Sequence, residues 1–279
     1  MATEGGKRLI KFGEQRLIRP NIGILERSLF RVLGIADPAH YLHYRYLMRG
    51  LDIIDDFKPL CILDAGCGHG DYSFYLARRY PKAFIIGIDL DSEAITRNIE
   101  AKKALGLRNL EFRVQSILNV EEASAFDLII CIDVLEHIPE NIEAFIRLAK
   151  ALKPNGYAFY HIPTQRPKPV PFSRYLNGFL QWAHEEHIAE ERSAEELVEI
   201  ALDSGLKIVT TFKTFGYYTG ELANSIFMIP YRNTTFNRVL QGLCAPMCRF
   251  LCLLDLMKLE SVRYAVALLL QKPCGDFSM

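Results

Sequence analysis

An excess of charge of either sign is missing from this chain of 279 residues: Lys and Arg total 33, and Asp and Glu total 33. Nucleic-acid partners ask for a basic surface, so the balance removes the general argument for one. Long apolar runs are missing too. The most apolar stretch, Val239 to Met257, is broken by Arg249 and Asp255, well short of the about 20 apolar residues that a bilayer span needs. Met1 to Gly13 mixes charge with glycine and holds no apolar run of signal-peptide length. The cysteines (Cys61, Cys67, Cys131, Cys244, Cys248, Cys252 and Cys274) are odd in number and fit reduced thiols better than a disulfide framework. The expected location is therefore cytoplasmic.

What is present is an ordinary globular composition, 50% hydrophobic and 24% charged, long enough for one substantial core with a sizeable cap. The middle of the chain alternates short apolar runs with helical patterns. The runs are Cys61 to Asp64, Ala83 to Asp89, Leu110 to Gln115, Phe126 to Ile132 and Tyr157 to Ile162; the helices are Asp71 to Tyr80, Ser92 to Leu105 and Glu140 to Leu152. Continuous apolar runs between helices predict a parallel sheet buried on both faces, hence a doubly wound α/β fold. Ser193-Ala-Glu-Glu196 has the capping-box pattern and opens a helix that stops at Gly205. A sixth strand is predicted over Leu206 to Phe212 and a seventh over Val262 to Gln271. Residues 1 to about 58, Pro163 to Arg192 and an insertion over Gly216 to Ser261 are more than a bare sheet needs. They read as a cap on the domain that runs from residue 59 to 279.

The junction Asp64-Ala65-Gly66-Cys67-Gly68-His69-Gly70 joins the first strand to the first helix of the sheet. Glycines there let a ligand approach the backbone, and the helix start offers free N–H groups. The spacing is G-x-G-x-G. A dinucleotide fingerprint needs glycine at position 71, where Asp71 stands, and no Walker lysine follows. Asp89 ends the second strand, at the place where an acid meets the ribose hydroxyls of an adenosine ligand; capping of the next helix is the plainer role for it.

The segment from Cys61 to Lys272 resembles the class I S-adenosylmethionine-dependent methyltransferases, in their Rossmann-like, type 11/12-like form. The resemblance rests on Ile62 to Gly70, Ile86-Gly87-Ile88-Asp89, Phe126 to Ile138 and Leu152-Lys153-Pro154-Asn155-Gly156-Tyr157. It implies a Rossmann-like seven-stranded sheet whose last strand is antiparallel beside strand five, and S-adenosylmethionine as cofactor. It places Asp64, Gly66, Cys67, Gly68 and Gly70 beside the methionine half, Asp89 on the ribose and Leu90 against adenine. Ser116 and Ile117 stand where the family often has an acid near the adenine amino group. Ile132 and Asp133 belong to the strand-four lip beneath the sulfonium.

For the transfer itself, His137 is the candidate base, since it follows strand four at the edge where open α/β sheets bind ligands; ordering of the loop is the alternative. Asp133, Glu136 and His137 form a D-x-x-E-H set that resembles the metal-contacting motif of ubiquinone-pathway O-methyltransferases. V-L-E-H also occurs in metal-independent relatives, and no metal is the favoured expectation. Tyr44, His161 and His187 are candidate substrate contacts, each with a packing or surface role as the plainer reading; His184 and His187 form an H-x-x-H without a third ligand. Cys244, Cys248 and Cys252 recur every four residues and predict small-residue packing against the sheet, and Pro246 predicts that the main helix of the insertion begins there. That insertion and the amphipathic stretch Ile22 to Ile35 suggest a greasy small-molecule acceptor, lipid- or glycan-linked, or contact with a membrane surface; covering each other is the equal alternative. The function expected is methyl transfer, with O-methylation favoured. A regulatory protein that only binds the cofactor and a nicotinamide oxidoreductase are the rivals.

Overall fold

A computed structural model describes residues 12–18, 23–34, 37–164, 192–223, 235–257 and 264–274. A seven-stranded sheet forms its centre, in the order β3-β2-β1-β4-β5-β7-β6. The strands are β1 (Cys61–Ala65), β2 (Phe84–Asp89), β3 (Leu110–Val114), β4 (Phe126–Ile132), β5 (Leu152–Pro163), β6 (Lys207–Thr214) and β7 (Ala265–Gln271). The first five run parallel, and β7 lies antiparallel between β5 and β6. This is the Rossmann-like arrangement implied by the four motifs. The central strands carry apolar residues on both faces because both faces are covered: Ile62, Leu128 and Ile130 belong to one core, and Leu63, Ile129 and Cys131 to the other.

Helices α1 (Ile24–Leu33), α2 (Pro38–Ile53), α3 (Asp71–Arg79), α4 (Ser92–Leu105), α5 (Asn141–Ala151), α6 (Ala194–Asp203) and α7 (Thr235–Leu256) surround the sheet. Their ends follow local chemistry. Asp37 caps α2 by accepting from the Ala39 and His40 N–H groups, with Pro38 at the first helical position. Asp91 caps α4, and Gly106 in the left-handed region ends it. Ser193 and Glu196 form the reciprocal box expected at α6. Strand β5 begins at Leu152, earlier than the apolar run alone suggests, because Leu152 pairs with Phe126 before a register shift.

The insertion differs from expectation. Helix α7 passes through Pro246 rather than starting there. The proline removes one hydrogen bond to the carbonyl of Gly242, and burial compensates: α7 packs on α1, with Leu29 against Gly242, and Ala245, Cys248 and Cys252 are buried. The cysteine face meets other parts of the cap instead of the sheet. Cys248 Sγ lies 3.6 Å from the Ala223 carbonyl oxygen, in a π-helical turn (Tyr218–Ala223), and Cys252 Sγ lies 3.7 Å from that of Pro38. Among the described residues, no helix is long and apolar enough to cross a membrane.

Candidate active site

The loop after β1 is held from below by its own backbone. The N–H groups of Gly66 and Cys67 both donate to the Ile88 carbonyl at 2.9 Å, which fixes the loop to the end of β2. Gly66 has φ +79, and a Cβ there would come within 2.3 Å of Val134, so the loop also packs on the end of β4. Gly68 is the contrast. Its φ is +46, yet an added Cβ would meet nothing within 4 Å. The chain spends a left-handed glycine on a place with open space beside it, which suits close approach of a ligand to the backbone. Asp89 Oδ2 accepts from the Gly68 N–H at 2.7 Å, and Asp89 Oδ1 accepts from the Asp91 N–H at 2.9 Å. Asp91, not Asp89, caps α4, so the plainer role does not fall to Asp89. Each of its carboxylate oxygens keeps a second lone pair for a ribose hydroxyl.

Asp64 is buried at the end of β1 and accepts a 2.5 Å hydrogen bond from Ser73 Oγ. Burial raises its carboxyl to about 7, and the nearby Asp89 and Asp71 charges add to that. A cationic ligand would find here a carboxyl poised to ionise. Leu90 is 70% exposed at the end of β2, an apolar side chain placed to flank a flat ring. Ser116 Oγ accepts from the Leu118 N–H at 3.1 Å, while Ile117, Ile132 and Cys67 are buried. The open space over Gly68, the free carboxylate lone pairs of Asp89 and the buried Asp64 carboxyl fit S-adenosylmethionine.

A latch that no sequence motif announces lies across this loop. A short 3-10 helix, Glu14–Ile18, reaches the start of α3. Gln15 Nε2 donates to the His69 carbonyl at 3.2 Å and to Asp71 Oδ1 at 2.5 Å, and the Arg16 guanidinium makes a two-toothed ion pair with Asp71. Burial alone would raise the Asp71 carboxyl; Arg16, helped by His40 and Gln15, more than reverses this and holds it below its ordinary value. The residue that breaks the dinucleotide fingerprint is thus a buried carboxylate committed to Arg16, a poor neighbour for a pyrophosphate.

Beside the loop, at the C-terminal ends of β4 and β5, lies a cluster of His43, Asp133 and His161. Asp133 follows β4 with φ +51, a conformation uncommon for a residue with a side chain. Its Oδ1 lies 2.5 Å from His161 Nδ1, and His161 Nε2 lies 2.8 Å from Thr214 Oγ1 at the end of β6. Its Oδ2 lies 3.0 Å from Nε2 of His43, on α2. The two imidazole rings are 4.3 Å apart and share the Phe215 ring as a neighbour. Burial disfavours ionisation of Asp133, but the imidazoles outweigh it and hold the carboxyl well below its usual range. Burial pushes the His43 imidazole down, and Asp133 only partly offsets this.

Among the described residues, His43, Asp133 and His161 are the one set of three potential ligand side chains whose donor atoms gather, all within 4.8 Å of one another. Asp133, Glu136 and His137 are not gathered in this way. Glu136 is buried on the 3-10 helix Leu135–His137, where burial and then Asp133 push its carboxyl well above the usual range. His137 ends the same short helix, half-buried. His161 is buried at the end of β5, with its two ring nitrogens on Asp133 and Thr214. Tyr44 belongs to an aromatic cluster, stacked on Phe12 at 4.5 Å and edge-on to Tyr75 at 5.2 Å. His184 and His187 lie outside the described residues. His43, Thr214 and Ser73 were not foreseen; no spacing in the sequence links them to Asp133 or Asp64.

A family model described as a methyltransferase domain matches residues 57–200, just over half of the chain. A ubiquinone biosynthesis O-methyltransferase of Neisseria meningitidis is 30% identical over 123 residues, which is 42% of this chain and 51% of that protein. The chain thus matches about half the length of that relative. Among solved structures, the [4+2]-cyclase SpnF superposes with a TM-score of 0.59 at 19% identity, covering 83% of this chain and 82% of that one. A putative sarcosine dimethylglycine methyltransferase from Galdieria sulphuraria gives 0.58 at 17% identity, covering 90% and 99%. These two establish the fold, and that a cyclase shares it shows why the fold does not name a reaction. With the matching family model, the donor-loop chemistry and the sheet order in agreement, the chain belongs to the family of S-adenosylmethionine-dependent methyltransferase domains.

Proposed function

We propose that the chain transfers a methyl group from S-adenosylmethionine to a hydroxyl of a small, hydrophobic acceptor, lipid- or glycan-linked. The observation that carries the donor half is the open space over left-handed Gly68, with Asp89 bonded to its N–H. Bound there, S-adenosylmethionine supplies a methyl group already activated on a sulfonium sulfur. The chain's own contribution is alignment, worth about 7–11 kcal/mol where two reactants are held in attack geometry.

The acceptor half rests on the cap. Helices α1 and α7 pack on each other, and both present large apolar side chains to solvent: Ile24 and Val32 from α1, and Leu243, Met247, Phe250 and Leu253 from α7. Arg27 and Arg31 are exposed on α1. Apolar side chains with basic neighbours suit a membrane surface or a lipid-bearing molecule. The O-methyltransferase name of the Neisseria relative agrees with a hydroxyl acceptor.

A thermal-shift titration tests the donor half. At about 100 times its dissociation constant, S-adenosylhomocysteine should stabilise the chain by about 2.7 kcal/mol, and Asp89→Ala should remove most of that gain. An unchanged gain in the variant would reject the ribose assignment. For the acceptor half, sedimentation with phosphatidylcholine–phosphatidylglycerol vesicles should carry the chain down, and Leu243→Glu with Phe250→Glu should leave it in solution. Equal sedimentation of the two would reject the apolar face as the acceptor's approach.

A further inference from the structure

His43 Nε2 is a buried nitrogen without an aligned hydrogen-bond partner, although Asp133 Oδ2 is only 3.0 Å away. The His43 side chain is 6% exposed, so water does not supply the missing partner. Two polar atoms at that separation, with no hydrogen aligned between them, are placed like neighbouring ligands of one cation. Bonds of about 2.1 Å at right angles put ligand atoms about 3.0 Å apart.

The third member has its second nitrogen arranged for the same purpose. His161 Nε2 is 2.8 Å from Thr214 Oγ1. With Nε2–H donating to that hydroxyl, the Nδ1 lone pair faces Asp133 Oδ1, 2.5 Å away, where either a proton or a cation can be bound. Metal-bound histidines nearly always have their other ring nitrogen held in this manner. Tyr72 Oη and Glu136 Oε2 are also buried without hydrogen-bond partners.

We propose that His43, Asp133 and His161 form a divalent transition-metal site of the two-histidine, one-carboxylate kind, open on the side where Asp133 is exposed. Two imidazoles and one carboxylate select zinc, iron, cobalt or manganese over magnesium and calcium, which prefer oxygen alone. Three protein ligands leave positions for an acceptor's oxygens, so the site holds a hydroxyl with a second oxygen beside it and lowers its proton affinity. This deepens the methyl-transfer reading and rests on it for the identity of the exchanged group. The site also joins the cap to the sheet, since His43 comes from α2 and the other ligands from β4 and β5.

The test uses the full chain, stripped with EDTA and titrated with Co²⁺ and Zn²⁺, with Mg²⁺ as control. One Co²⁺ per chain should bind, with visible d–d bands and without the intense near-ultraviolet band of thiolate ligation. His43→Ala and His161→Ala should each weaken Zn²⁺ at least 100-fold, and Thr214→Val about 10-fold, which is the cost of losing an outer-shell partner. S-adenosylhomocysteine binding, read by thermal shift on the same samples, reports folding and the donor site separately. No Co²⁺ binding at 100-fold excess, a thiolate band, or wild-type affinity in either histidine variant would each overturn the metal site. If the metal result fails while the homologue still binds, the donor reading stands; if the homologue fails to bind wild type, it is the donor reading that falls.

Discussion

The wall around the glycine loop and the wall around Asp133 are assembled in different ways. The first is nearly all one stretch of chain: β1, the loop, the start of α3 and the end of β2 follow each other, and apart from the Gln15 contact to the His69 carbonyl the hydrogen bonds that shape the loop lie within it or reach only to α4. The second draws His43 from α2, Asp133 from the end of β4, His161 from β5 and Thr214 from the end of β6. A local wall is fixed by glycine conformations and strand ends. A gathered wall exists only once the sheet has closed and the cap has docked. Damage to the first should therefore act on folding and donor binding together, while damage to the second should act on the acceptor side alone.

The largest expected effect compares two glycines of the local wall. Gly66→Ala must accept φ +79 and place a methyl group within 2.3 Å of Val134. The left-handed conformation costs about 1–2 kcal/mol, and overpacking adds about 1–3 kcal/mol. Gly68→Ala carries only the first cost, because nothing lies within 4 Å of its added Cβ. Urea unfolding should rank them Gly66→Ala well below Gly68→Ala in stability. Donor binding, in contrast, should be lost in Gly68→Ala even where the fold survives. Equal stability of the two variants would show that Val134 yields freely and that the loop is not braced by β4.

The latch sharpens the comparison, since it is a gathered contact laid over the local wall. Arg16→Ala leaves the Asp71 carboxylate buried with Gln15 and a more distant His40, at 3.8 Å. Breaking a buried pair in this way costs about 3 kcal/mol. Asp71 has a depressed folded-state value, so its contribution is full above the unfolded value of about 3.9 and fades as pH falls through the folded one. The gap between wild type and Arg16→Ala, read by urea unfolding, should be widest near pH 7 and shrink below about pH 4. A gap independent of pH would mean that Arg16 acts by packing alone.

What the sequence disclosed follows the same division. The strands and helices of the sheet and the capping box at Ser193 depend on short-range pattern, whereas the antiparallel β7 was implied by the family resemblance that four short motifs carry. Apolar runs, glycine spacing and cap chemistry are visible one segment at a time. His161 was visible as a strand-end residue near the right edge. His43 was not, because on α2 it sits in an amphipathic pattern where a histidine is unremarkable, and its meaning comes from a docking that no spacing records. The same reason hid Arg16, Thr214 and the passage of α7 through Pro246, where tertiary burial outweighs a local helix breaker. Pattern reading pointed to Glu136 and His137 as Asp133's partners because they are close in sequence. The left-handed turn at Asp133 sends its carboxylate instead toward α2 and β5.

The smallest expected effect concerns a single proton in the local wall. The Asp64 carboxyl stands at about 7 in the folded chain, against about 3.9 when unfolded. The unfolded chain therefore releases this proton at a lower pH than the folded chain does. Its contribution is a loss of stability as pH rises from about 4 to about 7, level above that. A ligand with an ammonium group beside Asp64 favours the ionised form, so donor binding near pH 7 should release a fraction of a proton and strengthen as pH approaches 7 from below. Calorimetry of S-adenosylhomocysteine binding in phosphate and in Tris buffer reads this directly, because the two buffers differ in ionisation heat. The difference between buffers should be present in wild type and small in Asp64→Asn. Identical heats in the two buffers for wild type would place the ammonium group away from Asp64 and reverse the direction assigned to the donor along the loop.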